Sequence, residues 1–347
     1  MASQHDGHRI RISSSSITNL ITIPNKAKQM LPKSTLTACV LALAMLCPWS
    51  YGQDATPAKY EDAIVKLLDQ GAAPRQTLRM TPKKGLKQTS LMKMKIDQTM
   101  VMNGQKLPAV PTPAMQFTVD ILVTNVDASG DISFDYTYPK AEVIDESNQP
   151  SAAKELMQTM IKSMEGLSGS TILSSRGFTR KSEIVLPPNA APQIIAMMGS
   201  MKESMSRISS PFPEEAIGIG AKWSVSQVIE ANGIKMRQNS VHTLKEIKGN
   251  TFDIALELTQ SADAQEVKTP GVPPETKMKL LSLESTGHGK MQFDTDALFP
   301  VSQIKSDSKM GMEMVAGGQT LPMQVEMTLE MTVSPATASK VPKSTEK

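Results

Sequence analysis

Cysteine is nearly missing from this chain, whose 347 residues hold two, Cys39 and Cys47. Both fall within the first 52 residues. The remainder can form no disulfide, carries no thiol nucleophile and offers no cysteine metal site, so its fold must rest on burial. Histidine is almost as scarce: four in all, with only His242 and His288 beyond residue 52, and neither has a His or Cys neighbour at metal-ligand spacing. Aromatic residues make up 4% of the chain, and Trp223 is the single tryptophan after residue 52. An excess of one charge sign is lacking too. Of the 37 Lys+Arg and 34 Asp+Glu, five and one lie in residues 1–52, leaving 32 basic against 33 acidic residues. The sequence pI of about 8.6 therefore comes from the first segment. Such a balance leaves no electrostatic footprint for nucleic acid or an anionic membrane.

Catalytic signatures are missing as well. There is no Gly-x-Ser-x-Gly elbow, no phosphate loop and no dinucleotide fingerprint. Ser-x-x-Lys occurs four times, starting at Ser90, Ser151, Ser302 and Ser306, as a Ser- and Lys-rich chain gives by chance. Adjacent carboxylates such as Glu214 and Glu215 do not by themselves make a glycosidase pair. No catalytic, cofactor-binding or metal-binding residue is expected, and no cofactor. His288, between Gly287 and Gly289, reads as a turn residue.

Long apolar runs are absent except in residues 31–46, which open with Lys33 and break at Pro48. Ser50 and Gly52 then place small residues at −3 and −1 before Gln53. This pattern predicts an export signal, too short to cross a bilayer, with residues 1–52 as leader and Met30 as its natural start. The apolar run follows Cys39 instead of preceding it, and bulky Leu46 precedes Cys47, so lipidation is not expected. The protein is thus expected in the periplasm, the envelope or outside the cell, with no transmembrane span after the leader.

What the chain does have is period-two alternation. Residues 57–70 carry Tyr60, Ile64, Leu67 and Leu68 at helical spacing, and an N-terminal helix is expected within 53–74. From Gln76 the period becomes two. Met92, Met94, Ile96, Met100 and Met102 share one face, interrupted only by Gln98, with Lys93, Lys95, Asp97 and Thr99 opposite. Asn103-Gly104 marks a tight turn, Phe117 to Val123 and Ile132 to Tyr138 continue a meander, and Asn232-Gly233 is a strong hairpin signal. Leu321 to Val333 alternates most cleanly of all. Two amphipathic helices are expected between strands, one capped by Ser151 with Leu156, Met157, Met160, Ile161 and Met164 as its stripe. The other is capped by Asn189, with Ile194, Met198, Met201, Met205 and Ile208. A strand or hairpin is expected between Ser170 and Leu186, residues 262–276 read as an exposed loop, and 335–347 as a disordered tail.

Asn103-Gly-Gln-Lys-Leu-Pro108 and Gly317-Gly-Gln-Thr-Leu-Pro322 echo each other, which a duplication into halves 75–210 and 211–334 or chance convergence of turns would explain. Methionine is abundant: 25 in all, 22 of them after residue 52. Three readings of it stand: adaptable core filler, the lining of a flexible apolar cavity, or thioether binding of Cu(I).

Residues 213–223 read Pro213-Glu-Glu-Ala-Ile-Gly-Ile-Gly-Ala-Lys-Trp223. This stretch resembles a family of secreted bacterial proteins without assigned function, whose members show Pro-Glu-x-x-Val/Ile-Gly-x-Gly-x-x-Trp before a β-meander. Leu78-Arg-Met-Thr-Pro-Lys-Lys-Gly85 is similar to that family's first strand and turn. The resemblance spans most of 75–335 and transfers no catalytic residue. Pro213, Glu214, Gly218, Gly220 and Trp223 are its structural motif, with the glycines expected at a bulge or a close backbone approach.

The expected fold is α+β and mostly antiparallel β: two β-meander sheets or half-barrels spanning 75–334, with two or three amphipathic helices packed on one side. The expected function is that of an exported, non-enzymatic envelope or periplasmic protein binding a hydrophobic ligand or an envelope protein partner. A scaffold without a small-molecule site, or an envelope hydrolase of unrecognised type, are the alternatives.

Overall fold

Side chains that alternate at period two over as many as 18 residues can bury only one face of an extended strand, and the chain meets that demand by pairing its strands side by side. The computed structural model describes residues 63–108, 112–144, 152–185, 210–231, 233–267, 276–316 and 318–336. The chain divides into two units, 1–47 and 48–347, and every described residue belongs to the second.

The strands are β1 (Ile64–Asp69), β2 (Lys87–Met102), β3 (Gln105–Lys106), β4 (Ala114–Val126), β5 (Ile132–Ile144), β6 (Ser168–Leu173) and β7 (Thr179–Val185). They continue with β8 (Lys222–Ala231), β9 (Ile234–Lys248), β10 (Thr251–Ala262), β11 (Gln265–Val267), β12 (Lys277–Asp294), β13 (Val301–Ala316) and β14 (Gln319–Pro335). One helix, α1 (Ala152–Lys162), stands among the described residues. All the strands belong to one antiparallel sheet in the order β1-β8-β9-β10-β12-β13-β14-β2-β4-β5-β6-β7, with β3 beside β2 and β11 beside β12. No described helix is long and apolar enough to cross a membrane.

The sheet curls over its apolar face. Val119, Ile121 and Val123 of β4 and Phe134 and Tyr136 of β5 share one buried cluster with Trp223, Val225, Leu244, Phe252 and Ile254 of β8, β9 and β10, although four strands separate the two groups. Gly287 and Gly289 on the inward face of β12 explain part of the curl. A Cβ at either would lie within 3 Å of β13 atoms, 2.9 Å from Lys305 O and 2.8 Å from Gln303 O, so only glycine lets β13 fold in so tightly. Residues 71–86 and 210–221 cross this end of the curl: Leu78 and Ile217 are fully buried, and backbone bonds tie Met80 to Ser175, Thr81 to Thr295 and Gly85 to Val123. Helix α1 lies on the same inward face further along, its Met157 and Ile161 against Phe117, Ala141, Met92 and Met115.

Several expectations are corrected. The fold is nearly all antiparallel β in a single sheet; it is not an α+β arrangement of two meanders with two or three helices. The two meanders become one sheet because β14 pairs with β2 over thirteen residues, from Met323↔Met102 to Pro335↔Ser90. The N-terminal helix gives way to β1 over Ile64–Asp69: Val65 and Leu67 pack on the core while the strand pairs with β8, and that tertiary pairing outweighs a short helical spacing. The first part of that expected helix, 53–62, lies outside the described residues, as do the Asn189-capped helix and the tail from 337. His288 sits in the middle of β12 on its exposed side and not in a turn, because Gly287 and Gly289 keep their strand pairing. The loop at 262–276 contains β11, paired with Met278–Leu280. Residues 78–83 cross the curl without forming a strand. The hairpin turns follow the sequence more closely: Asn103 and Gly104 both take positive φ (49° and 76°), and Ala231 pairs with Ile234 across the Gly233 turn.

Candidate functional site

The inward face can be read strand by strand from the register. Gln227 of β8 stands opposite Gln238 of β9, which stands opposite Gln260 of β10; Gln260 opposes Ser285 of β12, Ser285 opposes Ser308 of β13, Ser308 opposes Met327 of β14, and Met327 opposes Gln98 of β2. Six of these seven positions are neutral polar groups in one row across seven strands. On one side of it stand Ile229 opposite Met236 and, across the remaining five strands, the row Ala262, Leu283, Met310, Val325 and Met100, all apolar. On the other side Leu258, Leu329 and Ile96 continue the apolar surface around Ser240, Gly287 and Ser306. The polar row is partly bonded within itself, Gln260 Nε2–H donating to Gln238 Oε1 at 2.8 Å and Ser308 Oγ–H to Ser285 Oγ at 2.9 Å.

Formal charge is confined to the other face. Along β2, β8–β10 and β12–β14, every Lys, Arg, Asp and Glu that falls within the regular alternation takes an outward position, where pairs such as Lys305–Glu330 (2.9 Å) and Lys309–Glu326 (3.4 Å) are exposed. A groove of about 600 Å³ crosses β2, β14, β13 and β12 at the level of the polar row, lined by Gln98, Ser285, Ser308 and Met327 of that row as well as by Asp97, Glu284, Asp307, Lys309 and Glu326 beside them. Among the described residues no three His, Cys, Asp or Glu side chains stand close enough to hold a metal ion.

One inward titratable group is His242 on β9. It is 2% exposed, stacked on Trp223 at 5.1 Å between ring centroids and 8° between planes, and its Nε2 lies 3.0 Å from Ser240 Oγ. Burial pushes its pKa down to about 4, so the ring is neutral at pH 7. Burial is the cause of that shift. The Trp223 indole N–H is buried and has no hydrogen-bond acceptor among the described residues.

The motif residues gather at the crossed end of the curl. Arg79 donates to the carbonyls of Pro213 (3.0 Å) and Glu214 (2.9 Å), while Arg176 donates to Phe212 O and lies 3.5 Å from the Glu214 carboxylate. Burial, and then the neighbouring Arg176, hold the Arg79 guanidinium below its ordinary pKa. Gly218 faces the backbone of residues 70–74: a Cβ there would stand 1.7 Å from Ala72 O. Gly220 takes φ +88° with nothing near its Cβ position, and its N–H donates to Leu244 O. Trp223 is 1% exposed, inside the cluster these residues close. The motif residues thus stand apart from the polar row, at the end of the same cavity wall.

Residues 198–299 match a family profile described as a family of unknown function, DUF6263. That stretch contains the 213–223 motif and strands β8 to β12, less than half of the chain. No curated protein matches. Among solved structures, OmpT, an outer membrane protein of Vibrio cholerae folded in vitro and in its trimer form, is 5% identical, with 72% of this chain and 99% of that chain covered at a TM-score of 0.19.

Sequence reasoning missed the polar row and the arginine clamp. The signal for the row was present: Gln98 interrupts a methionine face, and Gln238, Gln260, Ser285 and Ser308 each occupy an inward position of an otherwise largely apolar strand. Their alignment needs the register, which no single strand reveals. For Arg79 and Arg176 the partners are backbone carbonyls more than thirty residues away, and no side-chain pattern announces those.

Proposed function

We propose that this is an exported, non-enzymatic binding protein of the cell envelope that holds a hydrophobic ligand against the inward face of its curled sheet. The observation that carries this reading is incomplete burial. With the whole chain counted, Ile96, Met94, Met310, Met327, Leu329 and Met331 remain only half-buried, although they form one contiguous apolar surface on the concave side of the sheet. A soluble fold that leaves such a surface part-open has a use for it. Methionine suits a cavity that must adapt to an elongated chain, because its unbranched thioether repacks at low cost. An enzyme is disfavoured by the placement of the inward polar groups: His242 is buried and neutral beside Ser240 and Trp223, and among the described residues no carboxylate is bonded to it.

The test is uptake of a neutral environment-sensitive dye such as Nile red by the full chain. Saturable binding with a blue-shifted emission supports the reading, and Leu329→Asp on the inward face should weaken it at least tenfold while Thr332→Glu on the outward face leaves it unchanged. Equal behaviour of the two variants would remove the inward face as the site. Export is tested separately, by recovering the chain from the periplasmic or culture fraction with its N-terminus at Gln53.

A further inference from the structure

We infer that the ligand is an uncharged amphiphile, a long acyl chain carrying an ester, amide or hydroxyl group, and that the row formed by Gln238, Gln260, Ser285, Ser308 and Gln98 recognises its neutral polar part. This rests on the binding reading above and names its chemistry. The row crosses a largely apolar concave face on which Ser240, His242 and Ser306 are buried, whereas Gln98, Gln238, Gln260 and Ser308 are half-buried, so a bound molecule can reach them. An amide presents two N–H donors and two acceptor lone pairs, so the single Gln260–Gln238 bond and the single Ser308–Ser285 bond leave capacity for a ligand. A plain hydrocarbon laid over this row would take water from those groups and return nothing, leaving each buried donor or acceptor without a partner. A carboxylate or phosphate is excluded by the opposite argument: the seven strands present no inward Lys or Arg, and a buried charge without a partner is far costlier than a buried hydroxyl.

The experiment is displacement of bound Nile red from the full chain by three probes of one chain length: monooleoylglycerol, oleate and oleoyl-lysophosphatidylcholine. Monooleoylglycerol is expected to displace the dye at a concentration at least tenfold below the other two. Gln260→Leu and Ser308→Ala, checked for unchanged circular dichroism, should each weaken monooleoylglycerol binding about three- to tenfold, the loss of one hydrogen bond, with the dye affinity retained. Gln98→Leu supplies the same comparison if either variant misfolds. Oleate binding as tightly as monooleoylglycerol, or a selectivity ratio untouched by all the variants, overturns the inference while leaving hydrophobic binding intact. Failure of the dye and of every lipid to bind overturns both.

Discussion

Gly218→Ala tests the crossed end of the fold, and its cost can be worked from the structure. The position lies outside the left-handed region, so alanine is allowed there by backbone conformation; the obstacle is purely steric. Its Cβ would meet Ala72 O at 1.7 Å, Ala72 C at 2.9 Å and Pro74 O at 3.0 Å, all backbone atoms that cannot swing aside. Restoring a 3.0 Å contact requires a retreat of about 1.3 Å, the difference from 1.7 Å. That retreat stretches the Gly218 N–H···O Gln70 bond from 2.9 Å and the Ala72 N–H···O Ile219 bond from 2.8 Å past any useful length. Two lost bonds at roughly 0.5–1.5 kcal/mol each, added to an overpacking cost of about 1–3 kcal/mol, give about 2–6 kcal/mol, centred near 4 kcal/mol. For a domain of this size that lowers Tm by about 10 °C. Gly220→Ala is the internal control: its surroundings are open, and only the φ of +88° penalises a side chain, by about 1–2 kcal/mol. Urea denaturation followed by circular dichroism reads both. Variants equal to within about 1 kcal/mol would refute the steric argument and, with it, the close docking of residues 70–74 on the motif.

His242 makes stability depend on acid. Its folded pKa of about 4 lies below the usual 6.5, so between those values the unfolded chain binds a proton that the folded chain does not. Stability is therefore complete above pH 6.5, falls as pH drops toward 4, and loses on the order of 3 kcal/mol in that window; His242→Phe should abolish this part of the slope in urea melts at pH 7.0 and 4.5. Burial, then the nearby Tyr136, push the Tyr138 phenol up to about 12, so a spectrophotometric titration should show one tyrosine ionising near pH 12, and folding should weaken as pH rises from 10 through that value. Leu329→Asp places a charge on the uncharged inward face and should lower stability by about 2–4 kcal/mol, whereas exposed Thr332→Glu should stay within about 0.5 kcal/mol in the same melts.

The strands were legible because alternation is a local property: Leu321 to Val333 and Phe252 to Leu258 declare their inward faces residue by residue. Their assembly into one sheet was not, since the β14–β2 pairing joins residues far apart in the chain and depends on no local signal. Ile64–Asp69 misled because Ile64, Leu67 and Leu68 satisfy a helical period over so short a segment, and pairing with β8 decided the outcome. His288 misled for a related reason. A glycine on each side normally marks a turn, yet here both glycines serve the close approach of β13. The polar row lies between these cases, with each member visible as an exception in its own strand and the row itself visible only in register.

A neutral, hydrophobic ligand held against the half-buried concave face would travel with the protein through purification. Native mass spectrometry of the full chain, expressed with its own N-terminal segment and purified without detergent, tests it most directly. A population heavier than the bare polypeptide by the mass of an uncharged lipid is expected, which Leu329→Asp loses and Thr332→Glu keeps. A bare mass that persists after incubation with monooleoylglycerol would contradict it.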